Sequence, residues 1–324
     1  NAGGSRIAAP LAQNSGSGLL PHPHSMKSLR LHLIPALLAL LLAACAAPPA
    51  VTPTQPVQPP SATKTPPRIG LALGGGAARG FAHVGVIQVL EEAGIRPSLV
   101  AGTSAGSLVA AIYASGKTGA QLQQVAETME EAAIADWTLQ IFSRGALRGE
   151  ALGRYVNAQV NSRLIENMPL PLGIVATDLN TGVDTLFQRG DTGTAVRASS
   201  AVPAVFQPVK ISGRDYVDGG LVSPVPVRAA HKMGAELVIA VDISSPPEGN
   251  LTGGTLDILL QTFSIMGKSI NTFELRDADV VVRPVLVGIS SADCGARKRS
   301  IEAGRQAMLL ALPQLRAAIA AKTR

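Results

Sequence analysis

Aromatic residues are scarce in this 324-residue sequence: Phe, Tyr and Trp make up 3% of it, with a single Trp. A surface that stacks on bases needs several such rings, so the composition argues against single-stranded nucleic acid as a partner. Charge is also sparse, at 15% Asp, Glu, Lys and Arg. The formal net charge of +6 is not a basic footprint, because Arg6, Lys27 and Arg30 all precede residue 45 with no acidic residue among them. The remainder holds 25 basic against 22 acidic residues, with Arg297-Lys298-Arg299 the densest cluster, and no nucleic-acid partner is expected. Cys45 and Cys294 are the only cysteines, too few for a disulfide framework or a zinc site. The five histidines (His22, His24, His32, His83, His231) show no paired ligand spacing, and no acidic run has the spacing of a calcium loop. No metal or other cofactor is therefore expected, and the composition is silent on oligomeric state.

Apolar residues, by contrast, are plentiful at 46%, enough for a substantial core. Residues 1–25, rich in Gly, Ser, Ala and Pro and without an amphipathic period, read as an upstream segment outside the folded protein. From Met26 a basic stretch with Lys27 and Arg30 leads into the apolar run Leu33 to Leu42, too short to cross a bilayer comfortably, which makes 26–44 an export signal. Leu42-Ala43-Ala44-Cys45 resembles a bacterial lipobox, so Cys45 is expected to carry lipid and to anchor the chain to a membrane of the cell envelope. Ala46, where an acidic residue would favour inner-membrane retention, points to the outer membrane facing the periplasm. Eight prolines among residues 46–67 cannot build a core. As polyproline II at 3.1 Å per residue, this tether reaches roughly 70 Å. Residues 68–324 show no repeat and no further break in composition, and are read as one domain.

Within that domain strands and helices alternate. Ile69 to Leu73, Ser98 to Ala101, Leu172 to Thr177, Asp184 to Phe187, Glu236 to Asp242 and Val280 to Val282 read as strands. Phe81 to Ala93, Gly119 to Ala135, Glu150 to Val160, Leu256 to Leu275 and Ile301 to Ala321 read as helices, with a short helical turn at Ala195 to Ser199. Short apolar strands between helices predict an α/β fold with a mainly parallel central sheet and helices on both faces.

Two glycine-rich turns carry the chemistry. Gly102-Thr103-Ser104-Ala105-Gly106 lies between a strand and an apolar helix, the setting of a nucleophile elbow, and makes Ser104 the candidate nucleophile at a helix N-terminus that favours negative charge. The loop Gly74-Gly75-Gly76-Ala77-Ala78-Arg79-Gly80 also follows a strand and opens a helix. As a dinucleotide fingerprint it fails, because Arg79 stands where the third glycine belongs and no acidic residue closes a second strand at the right distance. A phosphate loop fails too: Gly116-Lys117-Thr118 has Ala111 in place of the leading glycine. An oxyanion hole needs only convergent N–H groups near a nucleophile, which this loop supplies. For the base, His231 is the only histidine after the elbow, and Asp218 ends a strand before Gly219 and Gly220, so a triad and a dyad both stay open. His83 is expected beneath the glycine loop. Apolar segments at Ala132 to Phe142 and Leu256 to Ile270 are the expected pocket lining.

Four blocks in order, the glycine loop, Gly102 to Gly106, Arg197-Ala198-Ser199-Ser200-Ala201-Val202-Pro203 and Asp218-Gly219-Gly220, closely resemble the patatin-like phospholipases, in particular the bacterial branch related to neuropathy target esterase. The resemblance covers essentially all of 68–324. It implies a three-layer patatin-like fold and hydrolysis of phospholipid or lysophospholipid acyl esters by a Ser-Asp dyad without histidine. It puts the nucleophile on Ser104, the base on Asp218, and the oxyanion hole on Gly74, Gly75 and Gly76 with Arg79 in support. A non-catalytic binding lipoprotein remains the alternative from another class. The glycine loop is one residue longer than in plant members between its third and last glycines.

Overall fold

The computed structural model describes residues 64–129, 149–248, 253–289 and 294–324. The upstream segment, the export signal, Cys45, the tether to residue 63 and the segment Ala132 to Phe142 lie outside the described residues. Among the described residues one sheet holds eight strands. They are β1 (Ile69–Leu73), β2 (Leu99–Thr103), β3 (Leu172–Asp178), β4 (Asp184–Phe187), β5 (Val209–Ile211), β6 (Arg214–Asp218), β7 (Leu237–Val241) and β8 (Val280–Val282). The helices are α1 (Ala82–Glu92), α2 (Ala105–Ala114), α3 (Gly119–Thr128), α4 (Glu150–Gln159), α5 (Thr192–Ser199), α6 (Val227–Lys232), α7 (Thr255–Glu274) and α8 (Arg297–Lys322).

The order β8-β7-β1-β2-β3 is parallel throughout, as the alternation of strands and helices predicts. Three short strands join antiparallel on the far side of the sheet. Of these the hairpin β5-β6 was the less legible, since β5 is only three residues long. Its turn is nevertheless written in Ser212-Gly213, both at positive φ (48° and 82°), the geometry that matches the twist of a two-residue hairpin.

The two faces of the sheet differ in side-chain size. Leu71, Leu73, Val100, Ile174, Leu237 and Ile239 point to one face, where they pack with α1, α2 and α8. Ala72, Ala101 and Ala240 point to the other together with Leu99, Val175 and Val238, and α6 packs there through Ala229 and Ala230. Each fully buried Leu or Ile on the first face contributes about 1.5–3 kcal/mol of transfer free energy. On that face α1 and α8 cross at near-contact distance: a Cβ on Gly85 would overlap the Ile301 carbonyl, and one on Gly304 the Ala82 carbonyl.

Capping sets the starts of α3 and α5. Asp191 accepts the Thr194 N–H at 2.7 Å, so α5 begins three residues before the expected Ala195. Thr118 and Gln121 form a capping box that starts α3 at the expected Gly119. All described residues belong to a compact unit, Ala62–Arg324. Its edge takes in the end of the Pro-rich stretch, where Thr65 exchanges backbone hydrogen bonds of 2.6 and 3.1 Å with Arg324 and Pro67 is buried.

Register then brings distant segments together. β4 occupies β3 from Ile174 to Thr177, leaving the opposite edge of β3 to β2 and β6. β2 runs up that edge until Thr103 pairs with Val175, and β6 runs down it until Asp218 pairs with Ala176. The two strands meet head to head.

Candidate active site

Ser104 follows the last residue of β2 and precedes α2. Its backbone sits at φ 52°, ψ −123°, a sparsely populated conformation that costs on the order of 1–3 kcal/mol and persists only where the surroundings enforce it. Close approach supplies that enforcement. A Cβ on Gly102 would come 2.5 Å from the Gly106 carbonyl, and one on Gly106 would overlap the Leu73 carbonyl, so neither position admits a side chain. Three further bonds hold the turn. Ser104 N–H donates to Ser199 Oγ at 2.8 Å, Ser199 Oγ donates to the Val175 carbonyl, and Ser107 Oγ donates to the Ser104 carbonyl at 2.6 Å. Below the elbow Thr103 Oγ1 donates to the Ser223 carbonyl at 2.8 Å, and Ser223 Oγ to Glu274 Oε1 at 2.6 Å, where burial raises the Glu274 pKa.

The Ser104 hydroxyl lies near enough to the Asp218 carboxylate to favour its charged form. Both residues are 7% exposed. The second carboxylate contact is the Gly220 N–H, which donates to Oδ1 at 2.7 Å, while Asp218 N–H donates to the Ala201 carbonyl at 2.9 Å and its carbonyl accepts from Thr177 Oγ1 at 2.7 Å. Burial pushes the Asp218 pKa up to about 6, against the opposing pull of the Gly220 N–H and the Ser104 hydroxyl. Gly219 follows directly, packed against the Val175 carbonyl.

His231 is elsewhere. On α6 its Nδ1 lies 3.2 Å from the Ala235 carbonyl and its Nε2 2.9 Å from the Asp277 carbonyl, so both ring nitrogens face backbone oxygens of the opposite face. The triad left open by the sequence does not form in this arrangement. His83 lies where expected, fully buried, with Nε2 2.8 Å from the Gly74 carbonyl, and burial lowers its pKa to about 4, so the neutral ring donates there.

The glycine loop reaches the elbow, since a Cβ on Gly75 would lie 3.2 Å from Ser104 Cβ. One part of the expectation is corrected. Gly74 N–H already donates to the Val241 carbonyl at 3.0 Å and Gly75 N–H to the Pro224 carbonyl at 2.9 Å, because the loop has not yet left the sheet at these residues. Among the described residues the N–H groups of Gly76, Ala77 and Ala105 have no such partner. Arg79 N–H closes a tight turn on the Gly76 carbonyl at 3.1 Å. Its guanidinium is buried, with Asp242 as the charged neighbour, and burial lowers its pKa to about 10.

A family model described as patatin-like phospholipase matches residues 71–231, from β1 through the elbow and Asp218 to α6. The chain belongs to the patatin-like phospholipase family. An uncharacterised NTE family protein of Mycobacterium tuberculosis is 37% identical over 183 residues, 56% of this chain and 51% of that protein. Patatin-like phospholipase domain-containing protein 6 of Mus musculus is 32% identical over 231 residues, 69% of this chain and 16% of that protein. The chain thus spans about half the length of the mycobacterial relative. Among solved structures, VipD from Legionella pneumophila has a TM-score of 0.45 and 14% identity, covering 77% of this chain and 67% of that one, too distant to inform the site.

Two features of the patatin-like site were not singled out in the sequence. Ser199 bridges the elbow to β3, and its only signal was its place in the third motif block. The apolar cleft beside the elbow is lined by the glycine loop, α1, α2 and α3, whereas Leu256 and Leu260 of the expected pocket pack against a separate cluster that includes Phe206 and Tyr216. Among the described residues no group of His, Cys, Asp or Glu is placed to hold a metal ion, and no helix is long and apolar enough to cross a membrane.

Proposed function

We propose that the chain is a serine acyl hydrolase that cleaves fatty-acyl ester bonds of phospholipids or lysophospholipids. The observation that carries this reading is the meeting of β2 and β6 on one edge of β3, which sets the Ser104 hydroxyl beside a buried carboxylate whose pKa lies near 6. At neutral pH Asp218 is ionised yet basic enough to take the hydroxyl proton as Ser104 Oγ attacks the ester carbonyl. The developing oxyanion is held by the unengaged N–H groups of Gly76 and Ala77 and by Ala105 N–H, the amide after the nucleophile, at the positive end of α2. Asp218 returns its proton to the leaving alcohol. Water, deprotonated by the same carboxylate, then releases the fatty acid and frees Ser104.

Family membership supports a lipid ester as substrate. The lipobox-like Cys45 supports a working place on a bacterial envelope membrane, with the tether giving the domain reach along it. A fluorophosphonate probe tests the reading. The wild-type chain is labelled and Ser104→Ala is not; absence of labelling in folded wild type would favour the non-catalytic binding lipoprotein.

A further inference from the structure

The burial of α7 does not follow its apolar pattern. Ile258, Ile265, Met266 and Phe273 are exposed, whereas the two residues the helix buries, Asn271 and Glu274, are polar. Glu274 is 3% exposed, and among the described residues its Oε2 has no hydrogen-bond partner. A carboxylate is costly to bury unless it is paired and hydrogen-bonded, and here the compensation comes through Oε1 alone: Ser223 Oγ donates to it at 2.6 Å, Arg228 N–H at 3.4 Å, and Arg228 Nε lies 3.7 Å away. The shortest of these contacts leads to a dipeptide on which the site converges. The buried Ser223-Pro224 backbone bonds to all three of its parts. Ser223 N–H donates to the Gly219 carbonyl at 2.9 Å and closes the turn after Asp218; the Ser223 carbonyl accepts from Thr103 Oγ1 at 2.8 Å, directly before Ser104; and the Pro224 carbonyl accepts from Gly75 N–H of the glycine loop at 2.9 Å.

We propose that Glu274 is a positioning residue for the reaction: through the Ser223 hydroxyl it holds the Ser223-Pro224 strap where one stretch of backbone fixes the base turn, the elbow and the glycine loop together. The effect on catalysis rests on the acyl-hydrolase reading; the strap itself does not. Gly75 N–H is engaged by the strap, so the next N–H groups along the loop, those of Gly76 and Ala77, take their distance from Ser104 from it. That distance has little slack, since a Cβ on Gly75 would lie 3.2 Å from Ser104 Cβ. Pro224 brings no N–H of its own, which leaves the Ser223 side chain as the strap's tie to α7 by hydrogen bond. The helix also meets the strap by contact: seven residues before Glu274, on the same helix face, a Cβ on Gly267 would lie 3.7 Å from Pro224 Cγ. What the strap needs from position 274 is an acceptor for the Ser223 hydroxyl, and a glutamine supplies one.

Glu274→Gln, Glu274→Ala, Ser223→Ala and the Glu274→Ala/Ser223→Ala double variant test this by steady-state hydrolysis of p-nitrophenyl butyrate, with thermal unfolding and amide hydrogen exchange at Gly75 measured on each. A displacement of about 1 Å at reacting groups can cost about 10²-fold, so kcat should fall about 10- to 100-fold in each single Ala variant while KM stays within about twofold. The double variant should be no slower than the slower single one, because both changes cut the same link. Glu274→Gln should keep kcat within about threefold of wild type, and Gly75 should exchange faster in the Ala variants. A side chain that only fills space would lower Tm and leave the kcat of the folded protein as it was. Unchanged kcat in the folded single Ala variants, a loss in Glu274→Gln as large as in Glu274→Ala, or losses that add in the double variant would overturn the proposal. Should Glu274→Ala not fold, Ser223→Ala, which removes one oxygen atom, carries the same prediction. If wild type hydrolyses no ester but Gly75 exchange speeds up in the Ala variants, the strap stands and the hydrolase reading falls. If wild type hydrolyses the ester and neither kcat nor exchange changes, the strap falls and the hydrolase stands.

Discussion

Replacing Asp218 by Asn should destroy activity and stabilise the fold. Burial raises the carboxyl pKa from 3.8 to about 6, so the native state disfavours the ionised form by about 3 kcal/mol, at 1.36 kcal/mol per unit. The sign follows from linkage. With the folded pKa above the unfolded one, the stability associated with the group is fully present below pH 3.8 and is lost as pH rises through 6. At pH 8 the wild type bears the whole penalty, whereas Asn bears none. Asn also preserves the shape of the site, since its oxygen can accept the Gly220 N–H and its amide can donate to Ser104 Oγ. The expected gain at pH 8 is thus up to about 3 kcal/mol, or about 5–10 °C in Tm for a domain of this size. It should shrink toward zero as pH approaches 4. Thermal unfolding of both proteins across pH 4–8 measures the difference, and ester hydrolysis of the variant should fall by about 10²–10⁴-fold. The wild-type kcat/KM should in turn lose its activity below a midpoint near pH 6. An Asn variant no more stable than wild type at pH 8, or one with a pH-independent gain, would refute the buried-carboxylate argument.

His231→Ala should keep ester hydrolysis within about threefold of wild type, whereas removal of a true general base costs on the order of 10³-fold or more, and steady-state kinetics separates the two. Cys45→Ala should release the protein from the membrane fraction while p-nitrophenyl butyrate is still hydrolysed; retention in membranes would locate the anchor elsewhere in the chain. His83→Gln, which keeps a donor for the Gly74 carbonyl, should be less acid-sensitive than wild type. The His83 pKa is depressed to about 4, so wild type loses about 3 kcal/mol as pH falls from 6.5 to 4, and denaturant titrations at pH 7 and pH 4.5 should show that loss reduced in the variant. Gly304→Ala should cost at least about 1–3 kcal/mol, since its Cβ meets the rigid Ala82 carbonyl, and an unchanged Tm would contradict the α1–α8 contact.

The parallel half of the sheet was legible because its strands are continuous apolar runs: the expected limits of Ile69–Leu73 and Val280–Val282 match the observed ones. Helix ends were less legible where a cap lay outside the apolar period, as at Asp191. The elbow and Asp218 could be picked out as separate motifs, because glycines forced by close approach leave a pattern in the chain. Their meeting could not. It depends on the register of β2 and β6 along β3, a long-range pairing that no local spacing encodes. The amides of the glycine loop illustrate the same limit, since only the pairing of Gly74 with Val241 and of Gly75 with Pro224 shows which N–H groups are occupied.

The two strands that end at Ser104 and Asp218 are aligned on neighbouring residues of one β3 edge, Val175 and Ala176. A single peptide unit therefore fixes the spacing of the pair, although 113 residues of chain separate them. Enzymes whose reacting groups sit on different domains can be disarmed by opening a hinge. Here both are set against one strand, and pulling them apart would mean tearing β2 or β6 from β3. On the proposed reading, any restraint acts on access to the pair and not on its spacing.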